Sequence, residues 1–433
     1  MREQKKSSTM HKNIWYPFTI IQDAPEPLKV TKGDGLWLEL EDGRRIMDCI
    51  SSWWVNIHGH AHPKIAEAIH EQAKKLEQVI FANFTHDPAE KVAEQVTNRL
   101  PGDLNRVFYS DDGSTAVEVG MKMAWQYWKN RGEERKTFIC FEGAYHGDTF
   151  GAMSAGARSM FTEVFSELLF DVEFLPYPQT WIGDDEAGDK EDAVIEQLEA
   201  MLNENPDKYA GIMIEPLIQG AGGMRMCRTS FLQKLHWVNR QYGTLLLFDE
   251  VMTGFGRTGH WFASDRAQVE PDIICLAKGL TGGSLPLSIT VCSDEIYEAF
   301  NSSDPMKTFW HGHSYTANPI GCAAAIASME LMEENEPTFS AMEQWHREEL
   351  DQLMDHSKLK KQRVTGTIAA IEIDNEDEDG YLNEVANHIK KESVNHGLLL
   401  RPLGNVLYLM PPYCTTRDEL STMYKGIAEL LEG

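Results

Sequence analysis

Four short stretches of the chain set a reactive residue type at the end of an apolar run. In DIICLAKGLTGG (272–283), Lys278 follows the apolar IICLA and precedes a glycine-rich turn. A lysine at a strand end can snorkel to water. Held away from water it loses proton affinity and becomes an amine that attacks carbonyl carbon. In TLLLFDE (244–250), Asp249 and Glu250 close the most hydrophobic run of the chain; acids there must reach solvent or find a cationic partner, because burying an unpaired carboxylate is costly. In SDDGSTAVE (110–118), Gly113 and Ser114 open an apolar-periodic helix. Free backbone N–H groups and the helix dipole favour a phosphate at such a point, although Ser114 could equally be a plain helix cap. FEGAYHGDTFGA (141–152) sets Tyr145, a histidine and Asp148 in a loop whose glycines permit close backbone approach. An amine for an aldehyde, an acid for a pyridinium nitrogen and donors for a phosphate are together the requirements of pyridoxal 5'-phosphate.

These residues need a frame that brings strand ends together. Apolar runs at 106–110, 137–143, 210–216, 244–250 and 272–278 alternate with helical spacing at 114–129 and 229–242. Continuous apolar strands between helices predict an α/β fold with a mainly parallel sheet covered on both faces, and such sheets bind ligands beyond the carboxyl ends of their strands. Upstream, LWLELEDGRRIMDCI (36–50) predicts a hairpin on a two-residue Asp-Gly turn, followed by helices at 62–76 and 89–100. A helix at 319–334 leads into strands and helices at 364–433, which predict a smaller α+β domain. The expected division is 1–65 as an N-terminal segment joining the small domain, 66–335 as the large domain, and 336–433 as the rest of the small one.

Composition narrows the partners. Forty Lys+Arg against 67 Asp+Glu give a net charge of −27, which argues against nucleic acid or an anionic membrane surface. The acidic runs DDEAGDKED (184–192) and DNEDEDG (374–380) read as solvated loops. Seven scattered cysteines without a CxxC pair suggest neither disulfides nor zinc and fit a reduced cytoplasm. A polar N-terminus and the lack of a long apolar run predict no targeting or spanning segment. HGHAHP (58–63) spaces three histidines at i, i+2 and i+4, but no carboxylate or cysteine accompanies them, so no metal is expected. GFGRTG (254–259) matches a dinucleotide fingerprint literally, yet it lies several residues past its strand and the following HWFASD opens no obvious helix.

The motifs YSDDGSTAVEVGMKMAWQYW, GAYHGDTFGAMS, IMIEPLIQGAGGMRM, DEVMTGFGRTG, LAKGLTGG and HGHSYTANP, in this order, resemble the class III aminotransferases of the fold type I pyridoxal-phosphate superfamily. The likeness runs from IWYPFT (14–19) to LLRPLGNVLYLMPPY (399–413). SSWW (51–54), YHGDTFGAMS and RPLGNVLYLMPP resemble most closely the diaminopelargonate synthases of biotin biosynthesis. The resemblance implies that Lys278 holds the cofactor aldehyde and serves as the base, Asp249 pairs with the ring nitrogen, and Tyr145 stacks on the ring. Gly113 and Ser114 would hold the phosphate, with His313 and Ser314, beside Gly312, reaching the phosphate of a neighbouring subunit in a homodimer. Phe18, Trp53, Trp54 and Gly312 would line the substrate pocket together with Tyr145 and Lys278, and Arg401 would pair with the substrate carboxylate. Asp148 and Glu215 match acids that position the site, and Arg257 an arginine near the substrate entrance.

The implied reaction moves an amino group to 8-amino-7-oxononanoate, giving 7,8-diaminononanoate. Relatives take that group from S-adenosylmethionine or from lysine. The paired indoles favour the former, offering area for adenine and a face for the sulfonium. Phe18 in place of a tyrosine, and HGHSYTANP in place of HGPTF, leave lysine open as the donor, and another class III ω-aminotransferase is the alternative to the reaction itself.

Overall fold

The computed structural model describes residues 11, 13–22, 24–353, 356–374 and 384–432. Its largest sheet has seven strands in the order Leu104–Ser110, Ser288–Ser293, Ile273–Leu276, Leu245–Asp249, Tyr209–Ile214, Thr137–Phe141 and Glu173–Leu175. Ser288–Ser293 runs antiparallel to both its neighbours, while the other neighbouring pairs are parallel. The carboxyl ends of 104–110, 137–141, 209–214, 245–249 and 273–276 therefore share one edge. Every residue of Tyr209–Ile214 and of Leu245–Asp249 is buried. Each fully buried Leu or Phe in such a strand contributes about 1.5–3 kcal/mol.

A four-stranded sheet joins Val30–Asp34, Trp37–Leu40 and Arg45–Asp48 to Leu398–Leu399, which pairs parallel with Arg45–Asp48. Residues near the two ends of the chain thus share a sheet. Leu359–Thr365, Ile368–Ile373 and Val406–Leu409 form a third sheet, antiparallel throughout. Among the described residues, no helix is long and apolar enough to cross a membrane.

Several local expectations need correction. The hairpin at 37–48 turns through three residues, since Leu40 donates its N–H to Arg44 and Gly43 sits at φ +87°; a left-handed third residue is what a three-residue turn demands. The helix expected to end at 334 continues as Pro319–Leu353. It passes through Pro337 because Phe339, Met342 and Leu350 resume its buried face, offsetting the lost hydrogen bond. Within 184–192, residues from Ala187 onward belong to the helix Ala187–Glu204, and Glu191 is buried. Its carboxylate accepts from Arg228 Nε at 2.6 Å, Lys234 Nζ at 3.0 Å and Ser230 Oγ at 3.1 Å. Three donors from one neighbouring element turn an apparently solvated acid into a buried anchor. HWFASD does open a short helix, Ala263–Ala267, whose first N–H groups are taken by Glu250 at 2.7 and 2.8 Å. Of 374–380, all but Asp374 lies outside the described residues.

The histidines of HGHAHP have separate partners. His58 meets Ser328 and Asn335, His60 meets Asp48, and His62 accepts from Lys64 N–H as the cap of Pro63–Lys75.

Candidate active site

Lys278 begins a tight turn one residue beyond Ile273–Leu276, at φ +44°. Lys278 is half-buried, with Nζ 5.4 Å from the centroid of the Trp54 ring. Among the described residues it has no hydrogen-bond or ion-pair partner. Burial pulls its pKa below the ordinary lysine range against the opposing charges of Asp249 and Glu215.

Asp249 ends its strand buried, with Oδ2 2.7 Å from His146 Nδ1 and Oδ1 accepting from Val251 N–H at 3.1 Å. At His146 burial opposes the charged imidazole, but the hydrogen bond and charge of Asp249 prevail and its pKa lies above the usual value. Its other nitrogen, Nε2, is buried without a partner among the described residues. His146 was not singled out as a site residue by sequence. A histidine three residues past the expected end of a strand is a weak local signal, and the partner that gives it meaning is 103 residues away.

Glu215, directly after Tyr209–Ile214, accepts from Tyr145 N–H at 2.9 Å and Gly220 N–H at 3.0 Å. Burial first, then the charge of Asp249, push its pKa up to about 7 against the pull of His146 and the two N–H groups. Tyr145 donates its hydroxyl to Asp148 at 3.0 Å.

The helix Gly113–Asn130 is capped by Asp112, which accepts from Thr115 N–H at 2.9 Å. Ser114 is thereby released from capping. Its Oγ accepts from Asp148 N–H at 3.2 Å and faces Gly147, where a Cβ would stand 1.9 Å from that oxygen. Gly147 also sits at φ +131°, a conformation that other residues adopt only under strain. Gly113 is similarly constrained, because a Cβ there would lie 2.6 Å from Val251.

The SSWW turn carries left-handed φ at Ser51 (50°), Ser52 (59°) and Trp54 (68°). Such conformations cost roughly 1–3 kcal/mol each and persist only where surroundings fix them. The turn sends adjacent indoles to different environments. Trp54 is buried, its Nε1 donating to Tyr408 Oη at 2.9 Å. Trp53 is exposed, stacked under the Arg401 guanidinium at 4.9 Å and edge-on to Phe18 at 5.6 Å.

Lys278, Asp249, Tyr145, Ser114, Gly113, Asp148 and Glu215 thus gather at one sheet edge, with Trp54, Trp53, Phe18 and Arg401 forming an adjoining wall. Arg257 is placed differently from the expectation. It is fully buried rather than at an entrance, donating to the carbonyls of Pro411 at 3.0 Å and Trp54 at 3.1 Å. Gly312, His313 and Ser314 lie in a partly exposed loop, where His313 Nδ1 is 4.0 Å from Asp111 and Gln78 donates to the Ser314 carbonyl at 2.7 Å.

A half-buried amine without a hydrogen-bond partner among the described residues, a buried carboxylate and an open approach to Ser114 that a Cβ at Gly147 would close are a donor set that fits pyridoxal 5'-phosphate.

Residues 21–431 match the model of the aminotransferase class-III family. The adenosylmethionine-8-amino-7-oxononanoate aminotransferase of Synechococcus elongatus is 56% identical, covering 98% of this chain and 99% of the relative. The crystal structure of the same-named enzyme from Methanocaldococcus jannaschii is 32% identical, with a TM-score of 0.88 over 96% of this chain and 97% of that one. An amine transaminase from an uncultivated Pseudomonas species, in its PLP-bound form, is 29% identical, with a TM-score of 0.89 over 98% and 99%.

Proposed function

Because the chain belongs to the class-III aminotransferase family, we propose that it transfers an amino group from S-adenosylmethionine to 8-amino-7-oxononanoate, giving 7,8-diaminononanoate in biotin biosynthesis. The observation that carries this reading is the Arg401 guanidinium stacked on Trp53 at 4.9 Å, on the turn that also brings Trp54 to 5.4 Å from Lys278 Nζ. A guanidinium placed over an indole face still has N–H donors to offer a carboxylate. The apolar wall between that anchor and the amine suits a long methylene chain. The names of the relatives support the same acceptor and donor.

Pyridoxal 5'-phosphate, the cofactor, supplies when bound an aldehyde for amines and an electron-poor ring that takes the electron pair left when a Cα proton departs. The residues of the chain do the rest. Gly113 N–H and Ser114 bind the phosphate, and Tyr145 covers the ring, held by Asp148 and Glu215. The Asp249 carboxylate keeps a proton on the ring nitrogen, with His146 holding that carboxylate in place. Lys278, its proton affinity lowered by burial, would carry the proton between the substrate Cα and the cofactor carbon on the far side of the shared nitrogen. Arg401 orients the acceptor through its carboxylate.

The phosphate role has its own check. Gly147→Ala pushes Ser114 out of the cradle, and fluorescence titration of the cofactor-free chain should show pyridoxal phosphate affinity lower by at least about ten-fold, the equivalent of ~1.4 kcal/mol.

A homodimer with shared sites belongs to the same proposal. Trp15 (85% exposed), Trp310 (75%) and Tyr315 (64%) lie open to solvent, the last two flanking the loop of His313. His313 Nε2 is buried without a partner among the described residues, and exposed aromatic groups of this size suit a subunit interface. The cytoplasm is the proposed compartment, supported by free thiols at all seven cysteines. The division at about 65 and 335 is likewise proposed. The separate sheet shared by 30–48 and 398–399 supports it, although the helix Pro319–Leu353 runs through the second boundary.

The deciding experiment supplies the cofactor-loaded protein with 8-amino-7-oxononanoate and either S-adenosylmethionine or lysine, and follows 7,8-diaminononanoate by mass spectrometry. Product with S-adenosylmethionine is expected. Product with lysine alone would move the donor assignment, and no product with any donor would sink the reading.

A further inference from the structure

The buried carboxylate of Asp48 has no part in the roles above. It closes the strand Arg45–Asp48 with no accessible surface, and among the described residues no lysine or arginine forms an ion pair with it. Four donors converge on it instead. Ser52 N–H at 2.8 Å and Ile50 N–H at 3.3 Å reach Oδ1, while Ser52 Oγ and His60 Nε2, each at 2.8 Å, reach Oδ2. Asn56 Nδ2, which can only donate, meets His60 Nδ1 at 2.7 Å. That contact makes Nδ1 the acceptor and leaves the proton on Nε2, facing Asp48.

The far end of this chain of contacts touches the reactive lysine's own turn. A Cβ on Gly283 would stand 2.1 Å from Asn56 Oδ1 and 2.8 Å from the Val55 carbonyl, so the 278–283 turn packs directly on the residues that follow SSWW. The near end grips Ser52, in the middle of the left-handed residues Ser51, Ser52 and Trp54. Ser51 Oγ, donating to the Met410 carbonyl at 2.8 Å, pins the other side. Neither serine nor tryptophan favours this backbone by itself. The bonds to Asp48 and Met410 hold its serines there, while Arg257 and Tyr408 hold Trp54. A relaxed turn would no longer send Trp54 toward Lys278 and Trp53 under Arg401.

We propose that Asp48, gripping Ser52 and braced by His60 and Asn56, is a positioning residue that holds the two-tryptophan turn against Lys278 and so governs affinity for the substrate chain rather than chemistry at the amine. The kinetic arm of its test rests on the amino-transfer reading given above; the others do not. Asp48→Asn keeps the size and an acceptor for Ser52 N–H but loses the second acceptor. His60→Leu removes the imidazole donor, and His60→Gln restores an N–H near the Nε2 position.

In the cofactor-loaded protein, hydrogen–deuterium exchange of peptides spanning 49–57 should accelerate in Asp48→Asn and His60→Leu, with exchange elsewhere unchanged and His60→Gln close to the parent. KM for the oxo acid should rise at least about ten-fold while kcat stays within about three-fold, and borohydride should still attach cofactor at Lys278 stoichiometrically. Unchanged exchange at 49–57, equal loosening across the whole chain, or a fall in kcat at constant KM would overturn the proposal. Should the parent fail to turn over the oxo acid, the exchange and borohydride results decide the positioning role alone.

Discussion

Lys278→Ala should yield a folded chain that still takes up pyridoxal phosphate but transfers amino groups at least about 10⁴-fold more slowly. The fold should survive because the amine makes no hydrogen bond or ion pair among the described residues, so truncation orphans no buried partner. Removing an amine whose charge is disfavoured by burial also removes a penalty. The cofactor should still bind because the phosphate contacts proposed for it lie elsewhere, at Gly113 and at Ser114, whose Oγ faces Gly147. Turnover should collapse because the other groups near the site are poor substitutes. Tyr145 gives its hydroxyl to Asp148 and holds its proton more tightly than free tyrosine through burial and neighbouring acids. Glu215 is engaged by two backbone N–H groups. Thermal melting within a few degrees of the parent, no borohydride adduct and residual turnover at the stated level are the expected results. A rate within about ten-fold of the parent would mean that another base moves the proton.

What made this site legible was a conflict between residue type and setting. Lys278 and Asp249 each terminate a run apolar enough to be a strand buried on both faces, and a charge in such a place requires a reason. The parallel strands were readable for the same cause, since burial on both faces leaves no alternation to confuse the pattern. Features that depend on a distant partner were not readable. Glu191 looked solvated because Arg228, Ser230 and Lys234 lie about 40 residues on. His146 looked incidental until the strand carrying Asp249 placed a carboxylate 2.7 Å away. Ser114 could be a cap or a phosphate ligand until Asp112 proved to hold the cap position. Arg257 failed in the opposite sense: a motif suggested an entrance, whereas the fold spends its guanidinium on two carbonyls that tie the SSWW turn to Pro411.

Asp249→Asn separates two functions of one carboxylate. The amide is nearly isosteric and can still accept from Val251 N–H, so the strand end should keep its geometry. It cannot keep a proton on the cofactor ring nitrogen by charge, and turnover should fall by about 10³-fold, as for loss of a preorganised electrostatic group. The second effect falls on His146. Burial lowers its pKa, and the hydrogen bond and charge of Asp249 raise it above the usual value; with asparagine the charge of Asp249 goes, the smaller influence of Glu215 stays, and burial, the largest influence, prevails. In the parent, protonation of His146 adds stability that is present below its unfolded pKa of ~6.5 and is lost as pH rises through the higher folded value. In the variant the folded pKa lies below the unfolded one, so acidification subtracts stability instead. Urea midpoints of parent and variant should therefore stand furthest apart near about pH 5 and draw together toward about pH 8. A gap independent of pH would detach His146 from the carboxylate, even if turnover fell as expected, and leave the ring nitrogen as the only group that depends on Asp249.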